Sequence, residues 1–306
     1  MPQKIVFMGT PEFSIPSLES LVKSDNKILA VYSQSAKKAD RGQKKKLSPV
    51  EVFAKKNSIN VRTPEILNTE DEYNFMKELK PDFVVVVAYG KIIPERFLSL
   101  SKYGFINVHA SLLPKWRGAA PIQRSIMNLD KETGISIMKI VKELDSGPII
   151  SQSKVNINEN INTGTLTKVL SQLGAKALID SINNLKTNQA KFKDQDHSKA
   201  TYADKIKKIE AKINWNDDAK KILAKINGLN PAPGAWFEFK NERFKVWRAK
   251  IENFQGKSGI VVNDKLTIAC QDRSIQILEI QKEGKSRLSS EDFLIGNQIK
   301  KNEIIN

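Results

Sequence analysis

Short apolar runs alternate with helix-like segments through the first half of the chain, and this alternation restricts the possible folds more than any other feature. Four of the runs are rich in β-branched residues and lack a regular polar alternation, which fits strands that are buried on both faces. These runs are residues 4–8, 28–32, 83–87 and 105–108. Strands that alternate with helices predict an open, mostly parallel α/β sheet for this part of the chain.

The amino-acid composition changes after a long helix, which the apolar periodicity predicts over residues 163–185. The residues that follow this helix are polar and lysine-rich, as in a linker. The sequence therefore predicts a first domain over residues 1–188, a linker over residues 189–206 and a second domain over residues 207–306. Alternating patterns in the second domain predict short antiparallel strands that suit a small barrel or sandwich, with an oligonucleotide-binding barrel as one form. These strands are residues 236–239, 244–251, 259–262, 266–270 and 275–280.

The chain carries a large positive charge. Its 306 residues include 50 Lys and Arg against 34 Asp and Glu, which gives a formal net charge of +16. Such an excess favours polyanionic partners, such as nucleic acid or anionic lipid, although a coding bias toward Lys, Ile and Asn produces a similar excess. The charge is most concentrated in residues 36–46, where six basic residues accompany one acidic residue. This run is either a solvated surface or a nucleic-acid contact.

Several classes of protein are disfavoured by what the sequence lacks. No segment approaches the roughly 18 apolar residues of a membrane-spanning helix, and the N-terminus leads directly into a predicted strand, so we expect a cytoplasmic protein. Cys270 is the only cysteine, which excludes an intramolecular disulfide, and we expect it to fill a core. The turn after the first strand contains Gly9 but no other glycine of a dinucleotide-binding turn, and Glu12 would repel a pyrophosphate there. A nicotinamide cofactor is therefore not expected.

Three polar residues at predicted strand ends form a candidate catalytic group. Asn107 and His109 stand two residues apart at the end of the fourth strand, so their side chains project to the same side of the sheet. An amide can donate to an oxygen that gains negative charge, and an imidazole can act as an acid or a base near neutral pH. Asp145 follows another predicted strand, residues 134–140, and a carboxylate beside an imidazole orients it. Each residue alone fits an ordinary strand end or turn, but together they suit acyl transfer.

Residues 109–118 read His-Ala-Ser-Leu-Leu-Pro-Lys-Trp-Arg-Gly. They match in full the signature His-x-Ser-Leu-Leu-Pro-x-x-x-Gly of the folate-dependent formyltransferases, which this chain resembles. Asn107 and Asp145 match the other two members of that family's catalytic trio. Further stretches look like motifs of the family members that act on an aminoacyl-tRNA, and the resemblance extends over nearly the whole chain. These stretches are residues 7–13, 86–90 and 116–124, with looser matches at residues 213–215, 230–231 and 245–247.

The resemblance implies a Rossmann-like catalytic domain, a linker and a C-terminal β-barrel that helps to hold tRNA. It implies that Asn107, His109 and Asp145 are catalytic. Two segments are implied to surround the folate, although ordinary strand-end packing explains the side chains of the second segment equally well. The folate site is lined by Ser111, Leu112, Leu113 and Pro114, and the pterin pocket by Val87, Ala88, Tyr89, Gly90 and Ile92.

The basic run acquires a specific role under the same resemblance, because the family inserts a basic loop after its second strand to grip the acceptor end of the tRNA. Arg41 and Gly42 align with an Arg-Gly pair in that loop. Lys37 and Lys38 depart from the family, which typically has a Pro and an acidic residue there, so the individual contacts are not fixed by the resemblance. The predicted tRNA-binding residues are Lys37, Lys38, Arg41, Gly42, Lys44, Lys45 and Lys46.

The implied reaction moves the formyl group of 10-formyltetrahydrofolate onto the α-amine of methionyl initiator tRNA and leaves tetrahydrofolate. It requires no metal. We expect a monomer whose partners are the tRNA and the folate, with no membrane contact. Two alternatives stay open: the acceptor could be a sugar nucleotide or a purine precursor, or the chain could be a non-catalytic RNA-binding relative.

Overall fold

A computed structural model of the chain describes residues 2–39, 44–296 and 299–305. The described residues form two compact units. The first unit contains those of Met1–Gly118, Thr133–Val155 and Thr167–Tyr202, and the second contains those of Ala119–Glu132, Asn156–Leu166 and Ala203–Asn306. The units therefore do not follow a single cut of the chain, and the domain and linker boundaries drawn from the sequence stay a prediction.

A mostly parallel sheet forms the first unit. The strands of this part of the chain are β1 (Lys4–Gly9), β2 (Lys27–Tyr32), β3 (Lys37–Ala39), β4 (Lys44–Lys46), β5 (Val61–Arg62), β6 (Phe83–Val87), β7 (Phe105–His109), β8 (Arg117–Gly118), β9 (Glu132–Lys139), β10 (Ile149–Asn156) and β11 (Tyr202–Ala203). The large sheet has the order β10-β9-β7-β6-β1-β2-β5. Pairing is parallel from β5 through β7, whereas β9 runs antiparallel to β7. The predicted α/β sheet is confirmed.

The strand β6 shows why the apolar runs became central strands. All five of its residues are buried, and it pairs with β1 on one side and with β7 on the other. Because both faces of such a strand are covered, no position favours a polar residue, and each buried valine contributes about 1.5–3 kcal/mol. One core cluster of this unit consists of Val6, Met8, Tyr32, Leu67, Met76, Val84, Val86, Tyr89, Phe97 and Phe105.

The helices are α1 (Ile15–Lys23), α2 (Pro49–Lys56), α3 (Glu70–Leu79), α4 (Pro121–Met127), α5 (Thr163–Lys186), α6 (Ala219–Gly228) and α7 (Ser290–Gly296). Short 3-10 turns occur at Glu12–Ser14, Glu95–Phe97, His197–Lys199 and Lys208–Ala211. Side-chain caps fix several helix starts, since Ser48, Thr69 and Asp218 accept backbone N–H groups at the starts of α2, α3 and α6. The predicted long helix is confirmed as α5. In the described ranges, no helix has both the length and the apolar content needed to cross a bilayer.

The second unit contains an antiparallel sheet, as predicted. Its strands are β12 (Ala235–Phe239), β13 (Glu242–Glu252), β14 (Val261–Asn263), β15 (Thr267–Ala269), β16 (Ser274–Lys282) and β17 (Leu288–Ser289). They lie in the order β12-β13-β16-β15-β14, with β17 also paired to β16. Within the described part of the chain no ladder joins β12 to β14, so these two strands are the edges of the sheet. Cys270 is buried in the core of this unit, as expected.

The stretch from residue 189 to residue 206 contains ordered contacts as well as exposed polar residues. The short strand β11 pairs with β8. Gln195 is buried, with 6% of its surface exposed. Few large apolar residues occur here, so the sequence suggested a linker, but backbone pairing and the buried Gln195 side chain hold this stretch in place.

Candidate active site

The central strand β7 presents the first two residues of the candidate site. It lies between β6 and β9, and its last residue, His109, is opposite Ser136 in the antiparallel register. Asn107 is half-buried and His109 is buried, with 6% of its surface exposed. Within the described ranges, the Asn107 carboxamide has no hydrogen-bond partner. A half-buried amide without a partner is available to a ligand oxygen or nitrogen.

The turn that contains Asp145 brings the third predicted residue to the same place. Oδ2 of Asp145 lies 3.6 Å from Nδ1 of His109. The same oxygen accepts a hydrogen bond of 2.8 Å from the backbone N–H of Gly118. Asp145 has a φ of 46°, a left-handed conformation that non-glycine residues seldom adopt. The structure therefore brings Asn107, His109 and Asp145 together, although their catalytic roles stay a prediction.

The second ring nitrogen of His109 is held by a backbone carbonyl. Nε2 lies 2.9 Å from the carbonyl oxygen of Trp116. A carbonyl oxygen only accepts, so this contact favours a hydrogen on Nε2. In the neutral ring Nδ1 then keeps its lone pair and faces the Asp145 carboxylate. A proton taken up at Nδ1 would be stabilised there by the negative charge.

The segment predicted to line the folate site is tightly packed. The Ser111 hydroxyl is fully buried and donates to the Lys115 carbonyl at 2.6 Å. Leu113 is also buried, and its backbone N–H donates to the Ser136 hydroxyl at 3.0 Å. Leu112 and Pro114 are half-buried. From this segment, a ligand would therefore meet Leu112, Pro114 and backbone atoms rather than the Ser111 hydroxyl.

The segment predicted to line the pterin pocket divides into core-facing and exposed residues. Val87 and Tyr89 are buried, whereas Ala88, Gly90 and Ile92 are exposed. The Tyr89 carbonyl accepts hydrogen bonds from the side chains of Thr10 (2.8 Å) and Gln34 (2.9 Å).

Positive φ angles at Ala88 (47°) and Gly90 (79°) set the course of this backbone. Burial, reinforced by the charge of Glu72, raises the pKa of the Tyr89 phenol from 10.0 to about 12. The Tyr89 side chain is therefore a neutral core residue, and the exposed residues of the segment are the ones available to a ligand.

The basic run is partly a two-stranded ribbon rather than only a loop. Strands β3 and β4 pair antiparallel, with Lys37 opposite Lys46 and Ala39 opposite Lys44. Arg41 and Gly42 lie outside the described residues. The tRNA contacts assigned to this run from the sequence therefore stay a prediction. Across the described residues, no group of three or more His, Cys, Asp or Glu is arranged to hold a metal ion.

Two residues around Asp145 were not singled out from the sequence. The Gln195 side chain donates to the backbone carbonyls of Asp145 and Gly147, and Arg117 donates to Gln195. Arg117 lies inside the signature at residues 109–118, so its place was visible in the sequence but its partner was not. Gln195 lies in the predicted linker, where no pattern marked it.

Comparison with known proteins finds matches over nearly the whole chain. The family model described as formyl transferase matches residues 3–182, and the model of the formyl transferase C-terminal domain matches residues 205–298. A methionyl-tRNA formyltransferase of Pelagibacter ubique (strain HTCC1062) is 50% identical over 301 residues, covering 98% of this chain and 97% of its own. Similar proteins of the same name occur in Orientia tsutsugamushi (strain Boryong), 42% identical, and Jannaschia sp. (strain CCS1), 40% identical, each with 97% of both chains covered.

Solved structures with the same fold are more distant in sequence. An N-formyltransferase from Helicobacter canadensis, in complex with folinic acid and dTDP-3-aminofucose, has a TM-score of 0.70 at 22% identity and covers 92% of this chain and all of its own. HypX from Aquifex aeolicus in complex with tetrahydrofolic acid has a TM-score of 0.64 at 16% identity, over 96% of this chain and 47% of its own. A methionyl-tRNA formyltransferase from Clostridium thermocellum has a TM-score of 0.57 at 18% identity, over 82% and 94%. At these identities the likeness shows a shared fold.

Proposed function

The chain belongs to the formyl transferase family, and on that basis we propose that it transfers the formyl group of 10-formyltetrahydrofolate to the α-amine of methionyl initiator tRNA. The products are N-formylmethionyl-tRNA and tetrahydrofolate. One geometric observation carries the proposal. His109 lies on the same strand as Asn107, and its Nδ1 lies 3.6 Å from the Asp145 carboxylate. The relatives named methionyl-tRNA formyltransferase match nearly the whole chain, which supports methionyl-tRNA rather than a sugar nucleotide as the acceptor.

Asn107 holds the formyl oxygen in this proposal. The amide N–H groups of its side chain are neutral donors, and they stabilise the negative charge that develops on that oxygen when the amine attacks the formyl carbon. The α-amine of an amino acid has a reference pKa of about 7.7–8.0, so a large share is neutral and nucleophilic near physiological pH. The role of the site is therefore to position the reactants and to stabilise charge rather than to generate an unusual nucleophile.

His109 moves the proton. With Nε2–H donated to the Trp116 carbonyl, Nδ1 is free to accept the proton that the attacking amine loses. Asp145 stabilises the imidazolium that results, since its Oδ2 faces Nδ1. The imidazolium then returns the proton to the folate nitrogen as the bond from that nitrogen to the formyl carbon breaks. No metal ion takes part in these steps.

The folate lies against two segments in this proposal. From Ser111 to Pro114, the contacts come from Leu112, Pro114 and the backbone. From Val87 to Ile92, they come from the exposed residues Ala88, Gly90 and Ile92. The lysines of residues 37–46, together with Arg41 and Gly42, bind the acceptor end of the tRNA. We infer a cytoplasmic monomer, because charged initiator tRNA is a cytoplasmic substrate and a single chain carries the whole trio.

The proposal is tested by incubating the purified protein with formyl-labelled 10-formyltetrahydrofolate and methionine-charged initiator tRNA. We expect label in N-formylmethionine released from the tRNA by mild base. Parallel reactions contain uncharged tRNA, a dTDP-linked amino sugar or a purine-precursor amine as the acceptor. Transfer to one of those acceptors but not to the charged tRNA would replace the proposed substrate, and tRNA binding without transfer would favour a non-catalytic relative.

A further inference from the structure

The side chain of Gln195 uses all of its main hydrogen-bonding capacity on one turn and one arginine. Its Nε2 donates to the backbone carbonyl of Asp145 at 2.9 Å and to that of Gly147 at 2.8 Å. Its Oε1 accepts from Arg117 Nε at 3.1 Å and from Arg117 Nη2 at 2.7 Å. Gln195 and Arg117 are both buried, with 6% and 4% of their surfaces exposed. A buried amide with both donors and its acceptor satisfied is held in one orientation.

The turn that Gln195 holds is one that needs support. Asp145 adopts a positive φ of 46°, a conformation that is unfavourable in a residue other than glycine. At Gly147 the backbone passes so close to β9 that an added Cβ would lie 1.9 Å from the Lys139 carbonyl oxygen. Of the two carbonyls that Gln195 binds, that of Asp145 belongs to the peptide unit at the start of this turn and that of Gly147 to the peptide unit at its end. Fixing them fixes the direction in which the Asp145 side chain leaves the backbone.

Arg117 connects the same turn to the strand that contacts the carboxylate. The next residue, Gly118, donates its backbone N–H to Oδ2 of Asp145 at 2.8 Å. The Arg117 backbone N–H is itself bonded to the Thr201 carbonyl at 2.9 Å, in the chain segment that carries Gln195. The strand β8 therefore contacts Asp145 directly through Gly118 and indirectly through Arg117 and Gln195.

We propose that Gln195, oriented by Arg117, is a positioning residue that holds the Asp145 carboxylate against His109 for formyl transfer. Among the described residues no hydrogen bond joins Gln195 to the His109 ring or to the Asp145 carboxylate, so its effect passes through the backbone of residues 145–147 and through Arg117. This inference rests on the proposed function, since it assigns Gln195 to the same reaction.

The variant Gln195→Glu tests this role with little change in size. A glutamate keeps an acceptor oxygen for Arg117, but an oxygen replaces the amide nitrogen. It therefore cannot donate to the carbonyls of Asp145 and Gly147 and instead repels them. We expect kcat to fall by about tenfold to a hundredfold, as displacements of an ångström or less cost catalytic groups this much. The affinities for folate and tRNA should change little, whereas the melting temperature should fall because two buried carbonyls lose their donors. Gln189→Glu makes the same exchange at an exposed position of the same segment and should keep kcat within about twofold of the wild type.

A double-mutant cycle separates positioning from general support of the fold. If Gln195 acts through Asp145, Gln195→Glu will change kcat by less than about twofold when Asp145 is already alanine. An equal loss in both backgrounds would overturn the inference, as would wild-type turnover in Gln195→Glu. If Gln195→Glu does not fold, Arg117→Lys replaces it in the cycle. Lysine keeps the charge but cannot donate two bonds to one oxygen, so we expect a smaller loss that also vanishes in the Asp145→Ala background.

The same assay distinguishes this inference from the proposed function. A wild-type protein that forms no N-formylmethionyl-tRNA would contradict the proposed function itself. An active wild type whose turnover does not depend on Gln195 or Arg117 would contradict only the positioning role.

Discussion

His109 has a contact at each ring nitrogen. Nε2 is held by the backbone carbonyl of Trp116, and Nδ1 faces the Asp145 carboxylate. We expect Asn107→Ala, His109→Ala and Asp145→Asn each to lower kcat by about a hundredfold or more. Asp145→Asn is the most informative of the three, since the amide oxygen can still accept from Gly118 but carries no charge to stabilise an imidazolium. Single-turnover rates with saturating folate and charged tRNA measure the effect. Asp180→Asn, at an exposed position of α5, is the matched control, and a trio variant with wild-type turnover would be removed from the mechanism.

Tyr89, which adjoins the residues proposed to contact the folate, allows a prediction about stability at alkaline pH. Its pKa is raised from 10.0 to about 12 by burial and by the charge of Glu72, so the fold favours the protonated phenol. The contribution of this preference to the free energy of unfolding is complete below pH 10. It amounts to up to about 3 kcal/mol and is lost as the pH rises toward 12. The buried hydroxyl has no hydrogen-bond partner in the described chain, so Tyr89→Phe should cost little at neutral pH. Urea unfolding between pH 8 and 12 should show a shallower decline for Tyr89→Phe, and identical declines would contradict the assignment.

At the scale of helices and strands, the parts that sequence reasoning predicted best are those fixed by burial and period. The run at residues 83–87 became β6, and the long periodic segment became α5, because apolar periodicity alone specifies such elements. The sequence also placed Asn107 and His109 at the end of one strand and Asp145 in the loop that follows another. It did not predict β17 or α7, whose short lengths leave little periodic signal. It also could not pair Gln195 with Arg117, because a hydrogen bond between residues 78 positions apart follows from the tertiary fold.

The turn after β9 is the element on which the site most depends, and Gly147 tests it. A Cβ at this position would lie 1.9 Å from the Lys139 carbonyl, a backbone atom that cannot rotate away. We expect Gly147→Ala to destabilise the protein by about 1–3 kcal/mol, the usual cost of overpacking. The same shift should move Asp145 and lower kcat. Thermal unfolding and turnover are measured together, with Gly296→Ala as the control because an added Cβ there meets no described residue within 4 Å. A Gly147→Ala protein with unchanged stability and turnover would show that the turn tolerates displacement.

At the scale of the whole molecule, the net charge of +16 attracts tRNA irrespective of where the charges lie, whereas a specific contact requires them in one place. The two effects differ in their dependence on salt. Each phosphate that a basic residue neutralises releases counterions, and losing one such contact lowers the slope of log affinity against log salt by about 0.7–0.9. General attraction between the whole protein and the tRNA changes little when a few charges are removed from a distant surface.

Two triple variants with equal net charge separate these effects. Changing Lys44, Lys45 and Lys46 to Gln in the basic run lowers the net charge from +16 to +13, and changing the exposed Lys168, Lys176 and Lys186 of α5 to Gln does the same. We expect only the first variant to weaken binding of methionyl initiator tRNA and to flatten the salt slope, while folate affinity stays unchanged in both. Arg41→Lys should weaken tRNA binding more than Lys45→Gln, because a guanidinium binds phosphate in a bidentate manner and stacks on bases. Equal slopes for the two triple variants would mean that the basic run contributes only to the overall charge, and the tRNA-binding surface would then lie elsewhere, with the antiparallel sheet of the second unit as the next candidate.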